Sequence, residues 1–128
     1  MKITQIFFQK KIDTTINYLE LTPVRNYDHL VEENGLVSVF VPKFDIKWID
    51  KIMSKIIKSR FFKAKLDEFG TETWLEMDGT KSVQFISNRL SQKFGEKIYP
   101  VDERLTKFLS ELYKYSFITF KELNTKGN

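Results

Sequence analysis

Five carboxylates lie close together in the stretch LDEFGTETWLEMDG, which runs from Leu66 to Gly79. On a helix that begins near Phe69, Glu72 and Glu76 are four residues apart and share a face. Such a pair could offer oxygen ligands to a hard cation or take part in acid–base chemistry. The single histidine of the chain, His29, lies upstream of this stretch. We interpret the glutamate pair as the solvated face of a short helix, and we predict neither a metal site nor a cofactor.

The rest of the chain offers no pair of a nucleophile and a base. His29 falls in a predicted strand, and the sequence contains no cysteine. Three of the five glycines, Gly35, Gly79 and Gly95, fall at predicted turns, so no glycine-rich loop follows a strand to bind phosphate. The sequence therefore predicts no catalytic residue and a protein that is not an enzyme.

The composition is that of a folded globular domain. The 128 residues suit a single domain, and 41% hydrophobic with 30% charged residues is typical of a globular chain. No apolar run approaches the ~20 residues of a membrane span, and the N-terminal residues MKITQIFFQKK do not resemble a signal peptide. Because the chain also has no cysteine, we expect a cytoplasmic protein.

The positive charge is concentrated in one segment. Residues 43–65 hold eight Lys or Arg and two Asp, whereas the whole chain carries a net charge of only +4. Within this segment, residues 46–59 predict an amphipathic helix with isoleucines on one face and lysines on the other. Such a helix could cover a core or lie on a membrane surface. We favour the core-covering interpretation, and a membrane-surface adaptor stays as an alternative.

The first half of the chain predicts a small antiparallel sheet. Residues 1–22 predict a helix or an extended arm. Val24–Glu32 and Leu36–Pro42 predict two strands joined by a two-residue turn at Asn34–Gly35, where Gly tolerates a positive φ. A third strand is predicted over 62–66, since Phe62, Ala64 and Leu66 alternate with Lys63 and Lys65 and should face the core.

The second half predicts three helices. The first covers Thr71–Met77, the second runs from an N-cap at Ser82 to a stop at Gly95, and the third begins with Pro100 at its first position. Residues 117–120 either continue this helix or form a short strand, and 124–128 predict a disordered tail. The predicted fold class is α+β: a winged helix-turn-helix-like domain with a small antiparallel three-stranded sheet followed by a three-helix bundle.

Two binding functions agree with this plan. In a winged helix the third helix would enter the DNA major groove, but its six charged positions are half acidic: Asp102, Glu103, Arg104, Lys107, Glu111 and Lys114. Counterion release needs several cations that face phosphates, so nucleic-acid binding is the alternative rather than the leading hypothesis. The third strand, with Lys63 and Lys65 outward, could instead accept an extended peptide by strand addition.

The run from Lys65 to Ile118 resembles the PqqD family over a little under half of the chain. The marks that carry the resemblance follow the family's order and spacing: Leu66-Asp67-Glu68, Gly70, Trp74, Asp78-Gly79, Val83, Ile86, Leu90, Phe94-Gly95, Val101, Phe108, Leu109, Leu112 and Phe117-Ile118. The upstream VPKF and the hairpin before it are similar to the longer, stand-alone members. The resemblance places a PqqD-like domain over 23–123, with the helix 46–59 inserted in it.

This resemblance implies a RiPP recognition element, a winged-helix domain without chemistry of its own. Such a domain holds the leader of a ribosomally made precursor peptide and presents it to a modifying enzyme, often a radical-SAM protein. In the founding case the product is pyrroloquinoline quinone (PQQ). The implied peptide-binding residues are Phe62, Lys63, Lys65, Arg104, Lys107, Phe108 and Glu111. The peptide, the final product, the enzyme served and the oligomeric state, a homodimer included, are left open.

Overall fold

The computed structural model describes residues 17–42 and 61–123. The predicted helix 46–59, the tail 124–128 and the first sixteen residues of the predicted arm lie outside the described residues. The described part contains the strands β1 (Pro23–Arg25), β2 (His29–Val31), β3 (Val37–Pro42), β4 (Phe61–Lys65) and β5 (Ile118–Phe120), and the helices α1 (Glu68–Glu76), α2 (Val83–Phe94) and α3 (Val101–Lys114). The predicted α+β class is confirmed. None of these helices is long and apolar enough to cross a membrane.

The described residues fall into two compact units. The sheet unit consists of residues 27–42 and 61–71, and the helical unit consists of residues 17–26 and 72–123. The sheet unit is continuous apart from the undescribed segment, whereas the helical unit is assembled from two separate stretches of chain.

The sheet unit contains an antiparallel sheet with the order β2–β3–β4. The predicted first strand, Val24–Glu32, is broken in two. Its first part is β1, which pairs with β5, and its last part is β2, which pairs with β3. The predicted two-residue turn is a three-residue loop, because Glu32 N–H donates to the Leu36 carbonyl oxygen at 2.8 Å. Gly35 has a φ of +87° there, the left-handed conformation that such loops require.

Strand β3 is buried along its first half. Val37 and Val39 are fully buried, and Ser38 between them is also buried. The hydroxyl of Ser38 donates a 2.6 Å hydrogen bond to Glu32 Oε2, which satisfies a polar group that would otherwise be costly to bury.

Helix α1 begins at Glu68, three residues before the predicted start at Thr71. The carboxylate of Asp67 accepts a 2.8 Å hydrogen bond from Gly70 N–H, and the Asp67 carbonyl accepts one from Thr71 N–H. Asp67 is therefore the N-cap that the prediction overlooked. Toward the end of the helix Trp74 is fully buried, and its ring meets that of Phe117 edge to face at 6.4 Å.

The ends of α2 confirm the predicted caps. Ser82 Oγ accepts a 3.1 Å hydrogen bond from Phe85 N–H, and Gly95, with a φ of +63°, donates its N–H to the Ser91 carbonyl. In α3 the prediction was one residue early, since Pro100 has an extended ψ of 124° and acts as the N-cap, so that the helix begins at Val101.

A two-stranded sheet joins the separated ends of the helical unit. Strand β1 pairs antiparallel with β5, and Pro23 lies opposite Phe120. Of the two predicted outcomes for residues 117–120, the short strand is the one observed. Beyond this pairing, the Glu122 carboxylate accepts hydrogen bonds from the N–H and the hydroxyl of Thr22, both at 2.8 Å. Ile118 and Phe120 are buried, so β5 is part of the core of the unit.

Candidate functional site

Strand β4 lies at one edge of the three-stranded sheet, and no other strand of the described ranges pairs with its outer side. Leu66 N–H donates to the Val37 carbonyl oxygen at 2.9 Å. Because ladder bonds in an antiparallel pair recur at every second residue, Ala64 and Phe62 also direct their backbone groups toward β3. The backbone N–H and C=O groups of the alternate residues, Phe61, Lys63 and Lys65, therefore point outward at the edge.

The two faces of β4 carry different side chains. Phe61, Lys63 and Lys65 share one face, since they lie opposite Pro42, Phe40 and Ser38. Phe62 and Ala64 share the other face. We predicted that Phe62 would face the core, but its exposed fraction is 47%, similar to the 46% of Phe61. The predicted outward placement of both lysines is confirmed, because both are exposed.

Glu32 binds two partners on the face that carries the lysines. Its Oε2 accepts the hydrogen bond from Ser38 and a 3.2 Å charged hydrogen bond from Lys63 Nζ. The exposed side-chain fractions of Lys63 and Glu32 are 45% and 30%. The hydrogen bonds from Ser38 and then from Lys63 hold the pKa of Glu32 below its ordinary value. Glu32 is therefore ionised at neutral pH and holds the ammonium of Lys63.

Lys65 differs from Lys63 in that it makes no direct contact with Glu32, although its charge is the smallest of the causes that lower the Glu32 pKa. Within the described residues no ion pair of Lys65 with a carboxylate is formed. Lys65 lines a cleft of about 510 Å³ at the turn end of the sheet. The other residues that line this cleft come from the β2–β3 loop and from the adjoining strands: Glu32, Glu33, Asn34, Leu36, Val37, Ser38, Lys63 and Leu66. The cleft gives a side chain of moderate size access to Lys65.

The prediction missed Glu32 and Ser38. Both are polar residues near a turn, and a sequence pattern alone does not distinguish them from solvated loop residues. Their position beside Lys63 follows from the register between β3 and β4, in which Phe40 lies opposite Lys63. The sequence could have indicated that Glu32 and Ser38 lie beside Lys63 only if that register had been known.

The remaining predicted contacts lie on α3, in the helical unit. Arg104, Lys107, Phe108 and Glu111 follow one another at helical spacing and form a single stripe. The three charged residues are exposed and Phe108 is half-buried. Arg104 Nη1 donates to the Lys97 carbonyl oxygen at 3.5 Å. The stripe therefore presents two cations, one anion and the partly covered ring of Phe108.

Two polar residues of α3 do not belong to its solvent-facing side. Thr106 and Ser110 are buried. The Thr106 hydroxyl lies 2.6 Å from both the Tyr18 hydroxyl and the Asp102 carbonyl oxygen. The hydrogen bonds of Thr106 therefore hold the helix in its own unit, and this threonine is not available to read an external ligand.

The glutamates of α1 are paired with cations. Glu76 lies 3.3 Å from Arg89 and 3.8 Å from Lys81, and Glu72 lies 3.8 Å from Lys93. The exposed side-chain fraction of Glu76 is only 17%. The interpretation as a solvated face is thus wrong in detail, because Glu76 and Glu72 pair with Arg89 and Lys93 of α2, and Glu76 also pairs with Lys81 just before that helix. Across residues 17–42 and 61–123, no group of three or more His, Cys, Asp or Glu side chains is arranged to hold a metal ion.

Comparison with protein-family models, with curated proteins and with solved structures finds no match to the chain.

Proposed function

We propose that this protein is a peptide-binding module without chemistry of its own, which holds an extended peptide along the outer edge of β4 by strand addition. One observation carries the proposal. Phe61, Lys63 and Lys65 direct their backbone groups away from β3, at an edge that is not paired with any strand of the described segments. Backbone hydrogen bonds of this kind supply affinity for an extended partner, and neighbouring side chains supply selectivity.

A finer form of the proposal follows from the resemblance to the PqqD family. The chain would be a winged-helix RiPP recognition element, the peptide would be the leader of a ribosomal precursor, and a radical-SAM or other modifying enzyme would receive it. In this form the α3 stripe, Arg104, Lys107, Phe108 and Glu111, supplies further peptide contacts. The support is the order and spacing of the sequence marks from Leu66 to Ile118.

Two substitutions at one position test the strand addition. Lys63→Pro removes an outward N–H but leaves the ladder to β3 intact, since proline is tolerated at the open side of an edge strand. Lys63→Gln removes only the charge. Because an intermolecular hydrogen bond contributes about 0.5–1.5 kcal/mol, we expect Lys63→Pro to weaken binding by about two- to tenfold more than Lys63→Gln does.

The probe for this test is a set of peptides selected from a random display library on the wild-type chain. The binding of each peptide is followed by amide NMR titration, and circular dichroism checks that both variants stay folded. Shifts centred on 61–66 support the proposed mode. Equal affinities of Lys63→Pro and Lys63→Gln, or shifts that avoid β4, would contradict it.

A further inference from the structure

The face of β4 that carries Phe61, Lys63 and Lys65 has a fixed geometry toward an added strand. Residues that lie directly opposite each other in paired strands share a face, with Cβ atoms about 4.5–5.5 Å apart. Each of these three residues would therefore have one peptide side chain beside it. Side chains on one face recur at every second residue, so the peptide residues beside Phe61 and Lys65 are four positions apart.

The three positions differ in what they can select. Phe61 is nearly half exposed, and its ring meets Phe40 edge to face at 6.4 Å, so the two rings form an apolar surface. Lys63 already donates to Glu32 at 3.2 Å. Lys65 forms no ion pair with a carboxylate of the described residues and borders the cleft of about 510 Å³. The local charge thus favours an anion at one end of the strand and an apolar group at the other.

From this pattern, and resting on the proposed function, we infer the class of peptide that the edge takes. It is an extended peptide with an acidic residue beside Lys65 and an apolar residue beside Phe61, four positions apart. Glu32 sets the selectivity at the middle peptide position, which lies beside Lys63. By holding Lys63, its carboxylate occupies the place of a second peptide carboxylate and keeps the middle position neutral.

The spacing is tested with synthetic peptides built on a neutral host of serine, threonine and valine. One Asp and one Leu are placed three, four or five positions apart, in both orders along the peptide. Affinity is measured by isothermal titration and the bound site by amide NMR. We expect the four-residue spacing to bind about two- to fivefold more tightly than the others, since odd spacings put the two side chains on opposite faces.

Charge variants test the role of each residue. Lys65→Gln should remove the preference for Asp over Asn at the acidic position. Glu32→Gln should create a preference of about two- to fivefold for a second Asp at the middle position, because Lys63 is released. Glu33→Gln is the matched control, since it removes the same charge from a neighbouring residue that lines the same cleft. Glu33→Gln should create no preference for a second Asp at the middle position.

The outcomes separate this inference from the proposed function. If neither the host peptides nor the library-selected peptides shift the β4 amides, the proposed function itself fails. If only the library-selected peptides shift them, the inferred peptide class is overturned while strand addition stands. If peptides bind at β4 but every spacing is equal, or if Glu32→Gln and Glu33→Gln behave alike, the inferred peptide class is overturned while strand addition stands.

Discussion

At the scale of single residues, Asp78 shows how one carboxylate fixes a turn. It accepts hydrogen bonds from Thr80 N–H at 3.0 Å and from the Thr80 hydroxyl at 2.6 Å, and it binds Lys81 Nζ at 2.8 Å. The hydrogen bond from Lys81, followed by those from Thr80, holds the pKa of Asp78 well below its ordinary value of 3.8. A carboxyl group of this kind stabilises the fold when ionised, and the stabilisation is lost as the pH falls through its lower folded-state pKa.

Asp78→Asn should therefore lower the free energy of unfolding at neutral pH, by about 1 kcal/mol or less because solvent screens the exposed charge. The difference from wild type should shrink as the pH falls below the ordinary carboxyl pKa of 3.8, because the unfolded chain takes up the proton before the folded wild type does. Urea denaturation at a series of pH values measures the free energy of unfolding of both proteins. Glu96→Gln, at an exposed position, should show no such convergence, and a difference independent of pH at Asp78 would contradict the prediction.

Trp74 is the largest fully buried side chain among the residues that the structure describes. Trp74→Ala should destabilise the helical unit by about 3–5 kcal/mol, since it removes the contact with Phe117 and leaves a cavity. Trp74→Phe keeps an aromatic ring and should cost less. Chemical denaturation followed by far-UV circular dichroism compares the two variants. Equal stabilities of Trp74→Ala and wild type would show that this ring does not support the core.

At the scale of elements, helix α2 is stabilised by capping residues at its own ends. Ser82→Ala should cost about 1 kcal/mol, because the N–H of Phe85 loses its acceptor. Ser91→Ala is the matched control at an exposed position within the same helix, where alanine has the higher helix propensity. Thermal unfolding should therefore show a lower midpoint for the first variant only. A loss of similar size in both would indicate that the cap is not the cause.

The elements that the sequence predicts well are those with local determinants. Ser82 and Gly95 bound α2 because each acts on residues within one helical turn. The division of Val24–Glu32 between two sheets could not be predicted, since it depends on β5, which lies at the other end of the described chain. The partnership of Glu32 with Lys63 likewise depends on a strand register, and the candidate site could be predicted only as far as the two outward lysines.

At the scale of the whole molecule, the helical unit depends on contacts between distant parts of the chain. Phe120 is buried in β5 and its ring lies 5.3 Å from that of Tyr113. Phe120→Ala should cost about 3–5 kcal/mol and speed hydrogen exchange at the β1 amides together with those of α3, because one core serves both.

Thr119→Ala, on the same strand but only half-buried, provides the comparison and should have a small effect. Native-state hydrogen exchange measures both variants. Protection of β1 that survives Phe120→Ala while α3 loses it would contradict a common core.

The pairing of β1 with β5 also has a consequence for biosynthesis. The ribosome releases Pro23–Arg25 early, but their partners Ile118–Phe120 emerge only after nearly all the intervening chain has been made. At ~5–20 residues per second, this leaves several seconds during which β1 has no partner strand. The residues of the sheet unit are all synthesised within that interval. All residues of the proposed peptide-binding edge have therefore been synthesised before β1 can meet β5.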